Sequence, residues 1–194
     1  MATPTLRLAQ DRDADELLSR DPLALLIGML LDQQFPMERA FGSPWLLAQR
    51  LDRKGLDGAE IAAWDPDAFA KIMAGPPALH RYPASMAGRV QALCAYVVKE
   101  YGGDAAELWR GASSGAELLK RVRALPGFGE QKARIFVALL GKQLGVRPEG
   151  WREAAGAYGL EGTHRSVADV TDPESLAQVR AFKQAAKRAT AEGA

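Results

Sequence analysis

Apolar residues in this chain recur at spacings of three and four, and no stretch alternates convincingly over the length of a strand. The clearest case is DPLALLIGMLLDQQ. There Leu23, Leu26, Ile27, Leu30 and Leu31 fall at i, i+3, i+4, i+7 and i+8, the stripe a helix turns toward a core. Asp21 stands where an N-cap belongs and Pro22 at the first helical position. Gly28 in mid-run lets a neighbouring backbone come close. Pro36 stops the helix soon after Gln34. Further helices are predicted over Pro44–Leu51, Gly58–Ala63, Pro66–Ala74, Ala84–Tyr101, Ala105–Arg110, Gly115–Ala124, Glu130–Leu144, Glu149–Tyr158 and Pro173–Thr190. The clusters AGPPALHRYP and YGGD read as turns. With no repeat and no low-complexity linker, the pattern predicts one compact all-α domain over residues 1–194, with room for two lobes and a cleft.

One corner stands out. In ALPGFGEQKARIF a Pro and two Gly fall within four residues between two helical patterns. Pro126 ends the first helix, and both Gly127 and Gly129 permit positive φ. Phe128 is expected to turn inward and pin the corner. Little side chain then covers the amides of Gly127 to Gln131, at a helix N-terminus where unsatisfied donors and the helix dipole favour an anion.

Composition changes the picture only locally. The fractions, 47% hydrophobic and 25% charged, are those of an ordinary globular chain, and the net charge of +1 says nothing either way about a polyanionic partner. Between Arg110 and Arg147, however, eight basic residues face two acidic ones. Arg180, Lys183, Lys187 and Arg188 add to this in the last helix. A basic stripe beside bare amides is the footprint of a nucleic-acid backbone. The single cysteine, Cys94, excludes an internal disulfide, a zinc site built on several cysteines and a cysteine-ligated iron–sulfur cluster. It lies in VQALCAYVV and is expected in the core. His80 and His164 are too few and too isolated to argue a metal site. The N-terminus shows no basic tip before an apolar run, and the longest apolar run, nine residues from Leu23 to Leu31, falls short of the ~20 that span a bilayer. A soluble cytoplasmic monomer is the expectation.

At the corner, and less specifically over LLIGMLLDQQ and YPASMAGRVQALCAYVVKEYGGD, the sequence resembles the helix-hairpin-helix GPD superfamily of DNA glycosylases, the endonuclease III and 3-methyladenine glycosylase group. The resemblance covers roughly Leu23 to Tyr158. It implies two helical lobes with a cleft between them, a hairpin motif over 115–144, double-stranded DNA as partner, and hydrolysis of the N-glycosidic bond of a flipped damaged base. The single cysteine leaves this chain without an iron–sulfur cluster, and the resemblance allows a monovalent cation at the hairpin. Gly127, Phe128, Gly129, Gln131, Lys132 and Arg134 become the DNA-binding residues. Gln34 becomes the wedge that fills the opened stack, with Gln33 or Asp32 facing the pocket.

Two positions depart from the family pattern. Gln131 stands where lysine-bearing members carry a nucleophile, and an amide forms no Schiff base. Lys132, one residue on and ~100° around the helix, is expected to be a phosphate contact or solvated. No Asp opens the next helix. Glu149, eighteen residues beyond Gln131, is the nearest carboxylate to that place and the first candidate acid. Asp32 is the second, and Asp169 in RSVADV reads as a turn residue. Trp151 is the candidate base-stacking face. These readings leave three classes open: a monofunctional glycosylase without lyase activity, a DNA-binding module that has lost its acid, and a helical protein-interaction domain.

Overall fold

The computed structural model describes residues 5–192, and within them the chain is helical without a strand. The helices are α1 (Arg12–Arg20), α2 (Pro22–Leu31), α3 (Met37–Arg50), α4 (Gly58–Ala63), α5 (Pro66–Ala74), α6 (Pro83–Tyr101), α7 (Glu107–Arg110), α8 (Gly115–Arg123), α9 (Glu130–Gln143), α10 (Trp151–Ala155) and α11 (Pro173–Glu192). Two 3-10 turns, Gly156–Gly159 and Val167–Asp169, follow α10. None of these helices is long and apolar enough to cross a membrane.

Local chemistry sets most boundaries. The Asp21 carboxylate accepts from the amides of Leu23 and Ala24, with Pro22 opening α2 as expected. Asp57, Asp65 and Ser114 cap α4, α5 and α8 in the same way. Every residue of α2 after Pro22 is buried, so this helix runs through the centre of the core. Gly28 is what lets α3 close on it. A Cβ there would fall 2.7 Å from the Phe41 ring, and the Phe41 Cα lies only 3.5 Å away.

Three boundaries differ from the periodicity. Helix α1 lies in the polar N-terminal segment, where Ala14, Leu17 and Leu18 are buried behind an Asp11 cap. Helix α3 starts at Met37 and carries Pro44 in its interior. Pro44 is buried, which offsets the ladder bond its ring forfeits. Helix α10 ends at Ala155, where Gly156 takes φ 61°, and the rest of the expected helix is a 3-10 turn.

Helices α1 and α2 pack on α3, while α4 and α5 pack on α6, which also meets α2. Helices α8, α9 and α10 pack on one another, with the 3-10 turns over α9. Cys94 is fully buried in α6, as expected, and burial pushes its thiol up to about 12.

Candidate functional site

The corner between α8 and α9 has one left-handed residue, not two. Gly127 takes φ 84°, whereas Gly129 is extended at φ −79° and serves as the N-cap of α9. The bare face of Gly127 is filled from another element: a Cβ would sit 2.4 Å from Leu30 Cδ1, at the end of α2. Phe128 is 5% exposed and stands edge-on to Phe136 at 6.1 Å, so only its backbone remains for a partner. Gly129 has no cap side chain and nothing within 4 Å of where a Cβ would lie. The amides of Gly129 to Lys132 meet no acceptor among the described residues.

Lys132 corrects the expectation of a phosphate contact or a solvated lysine. Its Nζ turns inward and donates to the carbonyls of Met29 at 2.6 Å and Leu30 at 3.0 Å, with the Asp32 carbonyl at 3.4 Å. An ammonium at the C-terminus of α2 satisfies carbonyls that no backbone amide reaches and complements the helix dipole. Burial lowers the Lys132 pKa to about 8, with the charge of Asp32 acting in the opposite direction. One lysine thus ties together two segments that the sequence places a hundred residues apart.

Asp32 caps α2 at this point. Burial raises its carboxyl above the usual carboxylate range, the charges of Lys183 and Lys132 oppose that, and Glu38 adds to it. The carboxylate accepts no hydrogen bond among the described residues. Glu38 Oε1 pairs with Arg180 of α11 at 2.5 Å, while its Oε2 is buried without a partner. A carboxyl held above its ordinary pKa weakens the fold once it ionises. Asp32→Asn is therefore expected to melt no lower than wild type at neutral pH. Its advantage should shrink toward acid pH, where Asp32 is protonated both folded and unfolded. A series of thermal melts against pH checks this; an Asn variant that is less stable at pH 7 would mean the lysines hold the ionised form.

Past Asp32 the chain turns out of the core. Gln33 Nε2 donates to the Leu30 carbonyl at 3.0 Å, and its Oε1 stands 3.5 Å from Arg89. Gln34 is exposed in the left-handed region, φ 51°, and its side chain meets no protein partner among the described residues. Gln131, also exposed, donates from Nε2 to the Tyr158 hydroxyl at 2.8 Å.

Glu149 and Trp151 lie elsewhere. The Glu149 carbonyl accepts the Gly115 amide at 2.7 Å, which puts it at the start of α8, the end opposite the corner. Its side chain is exposed there and shares no site with Asp32 or Lys132. Trp151 is 7% exposed; its ring packs on Gly141, and Arg152 lies 4.6 Å over the ring centroid, leaving no open face for a base. Asp169 is structural: it pairs with Lys142 at 2.6 Å and caps the second 3-10 turn.

The basic stripe also reads differently in three dimensions. Arg110 pairs with Asp104 and Glu107, Arg121 with Glu117, Lys142 with Asp169, and Glu130 is held between Arg123 and Arg134 at 2.8 and 2.7 Å. Arg134 also donates to the Ala154 carbonyl. The unpaired positive charge near the corner comes instead from α6 and α11. Arg89 lines a cavity of about 230 Å³ with Gln33, Gln34 and His80. Lys183 and Lys187 line one of about 710 Å³ with Gln131, Ile135, Tyr158 and Phe182. No group of three or more His, Cys, Asp or Glu among the described residues could hold a metal ion.

Sequence reasoning missed His80, Arg89 and Phe182 as neighbours of these residues. Each looked isolated along the chain, and only packing brings them together. No family model, no curated protein and no solved structure matches the chain.

Proposed function

We propose that this chain is a DNA-glycosylase-like protein of base excision repair, which binds duplex DNA across the α8–α9 hairpin and the tip of α2. The observation that carries the reading is the convergence at one place of a bare amide row, an unpartnered Gln34 and a desolvated carboxyl, Asp32. The amides of Gly129 to Gln131 hold a phosphate at the N-terminus of α9. Gln34 fills the gap left by a flipped nucleotide. The apolar cavity beside Gln131, with Phe182 and Tyr158 in its wall and Lys183 and Lys187 at its edge, receives the base. Two lobes fit this picture, α1 to α6 on one side and α7 to α10 on the other, with Lys132 bridging them.

Asp32 takes the chemical role first considered for Glu149, because it stands beside the hairpin and Glu149 does not. As the base leaves, positive charge develops on the sugar, and an ionised carboxylate in a site of low dielectric stabilises it. Protonated, the same group can donate to the departing base. Gln131 offers no amine, and the Lys132 amine is engaged by carbonyls of α2. The product is therefore an abasic site on an intact strand.

The test is a panel of duplexes carrying alkylated, deaminated and oxidised bases, assayed for base release before and after alkaline cleavage. Strand breaks should appear only after alkali, and borohydride should trap no protein–DNA adduct. A trapped adduct would contradict this and make Lys132 a nucleophile. Tight binding with no release from any duplex would favour the module without chemistry, a reading supported by the missing Asp at the start of α10.

A further inference from the structure

His80 lies in the turn before α6, is 1% exposed, and makes two contacts that define its state. Its Nε2 stands 3.0 Å from the Gln33 carbonyl oxygen, and its Nδ1 stands 3.0 Å from the Tyr82 backbone nitrogen. A carbonyl only accepts and a backbone N–H only donates. The ring is therefore neutral, with its proton on Nε2 and Nδ1 bare.

The carbonyl that His80 holds belongs to the peptide joining Gln33 to Gln34. Gln34 is one of three non-glycine residues with positive φ among the described residues. A left-handed conformation disfavours an ordinary side chain by about 1–2 kcal/mol, so something must fix it. No other side chain bonds the Gln33 carbonyl. Phe35, next along the chain, packs on the His80 ring at 4.9 Å, with Arg39 over its own ring at 4.7 Å.

From this geometry we infer that His80 is a positioning residue, whose neutral imidazole orients the Gln33–Gln34 peptide so that Gln34 projects from the tip of α2. The inference rests on the reading of Gln34 as the residue that enters the duplex. A second proton would sit on Nδ1, facing the Tyr82 N–H, and would break that contact. Burial lowers the His80 pKa, the carbonyls of Gln33 and Leu31 act to raise it, and the charges of Lys132 from α9 and Arg89 from α6 lower it again, with a net fall. Arg39 and Arg81 stand one ring further out, over Phe35 and Tyr82. The ring thus stays neutral at pH values where an ordinary histidine is charged.

Two amide variants isolate the donor. In His80→Gln the side-chain nitrogen reaches the place of Nε2 and can still donate to Gln33. In His80→Asn the amide stops at the place of Nδ1, keeping the Tyr82 contact and losing the one to Gln33. The first readout needs no DNA. Nitrogen spectra of the wild-type imidazole should show Nδ1 bare at neutral pH and still bare where an ordinary histidine has taken up its proton. The Gln34 amide should give one signal in wild type and His80→Gln, and a shifted or doubled signal in His80→Asn. The second readout is the fluorescence of 2-aminopurine placed beside a lesion in a duplex. Wild type and His80→Gln should unstack it on binding. Gln34→Ala and His80→Asn should bind but unstack about tenfold less, the equivalent of one lost hydrogen bond. A charged ring at neutral pH, an unshifted single Gln34 signal in His80→Asn, or full unstacking by His80→Asn where Gln34→Ala abolishes it would overturn the inference. Wild type that shows the expected spectra yet never binds duplex would instead sink the nucleic-acid reading, leaving Gln34 nothing to be positioned for.

Discussion

Asp32→Asn is expected to slow base release by about 10²–10³, the usual loss for one electrostatic contact to a developing charge, while leaving duplex binding within a few-fold of wild type. Asn is close to isosteric, but it can neither stabilise a sugar cation nor give up a proton. The substitution also removes a carboxyl that burial already disfavours, so lower activity should come without lower stability. Glu149→Gln is the matched control. Glu149 is exposed at the start of α8, and its amide form should release base as fast as wild type. Single-turnover rates on the best substrate of the duplex panel check both. The reverse pattern, with Glu149→Gln inactive and Asp32→Asn active, would return the acid to the place first read from the sequence.

The second large effect is on stability. Lys132→Met keeps the apolar stem and removes the ammonium that two buried carbonyls accept at 2.6 and 3.0 Å. The Leu30 carbonyl keeps Gln33 Nε2 as a donor, and only the Met29 carbonyl is left without one, so a loss of about 1–3 kcal/mol is expected. For a chain of this size that lowers the melting temperature by roughly 2–12 °C. The lysine pKa, lowered to about 8, adds a signature. Between that pH and the ordinary lysine value the unfolded chain holds the proton and the folded one does not. Wild-type stability should therefore rise through that window in a way the Met variant's does not. Because this ammonium faces α2 and not solvent, the salt slope of DNA binding should be nearly unchanged. Urea unfolding across pH checks the first two statements, and a wild-type-like melt of Lys132→Met would show that the Met29 carbonyl finds another donor.

Where a residue's role is local, it could be read from the sequence. Asp21, Pro22 and the stripe from Leu23 to Leu31 set α2 because caps and periodicity act within a few residues. The break between α8 and α9 was equally plain from Pro126 and Gly127. Where a role depends on what packs opposite, the sequence was silent or misleading. Pro44 looked like a boundary and lies inside α3, where its burial, which the local sequence does not announce, offsets one lost ladder bond. The basic excess between Arg110 and Arg147 counted charges without their partners, and Asp104, Glu107 and Asp169 reach in from outside that window. Lys132 looked exposed because nothing near it in sequence announces the carbonyls of Met29 and Leu30. Trp151 looked like a platform because an aromatic beside a polar helix start carries no mark of the glycine, Gly141, that its ring covers. The tip of α2 was readable as a place, but its geometry was not. The left-handed Gln34 and the Gln33 carbonyl that His80 holds depend on a turn some forty-seven residues further on.

The claim on which the rest depends is that the bare amides at the start of α9 hold a DNA phosphate. Gly129→Asp tests it without disturbing the fold. The backbone there is extended at φ −79°, which any residue adopts, and the space around it is open. Asp is a preferred N-cap, so the variant should be as stable as wild type or more so by a few tenths of a kcal/mol. Its carboxylate would occupy the amides and repel a phosphate. Measured as duplex affinity against salt concentration, wild type should show the steep decline of counterion release. The variant should bind about tenfold or more weakly, with a slope shallower by about one. A Gly129→Asp protein that folds normally and binds duplex with wild-type affinity and slope would contradict the account.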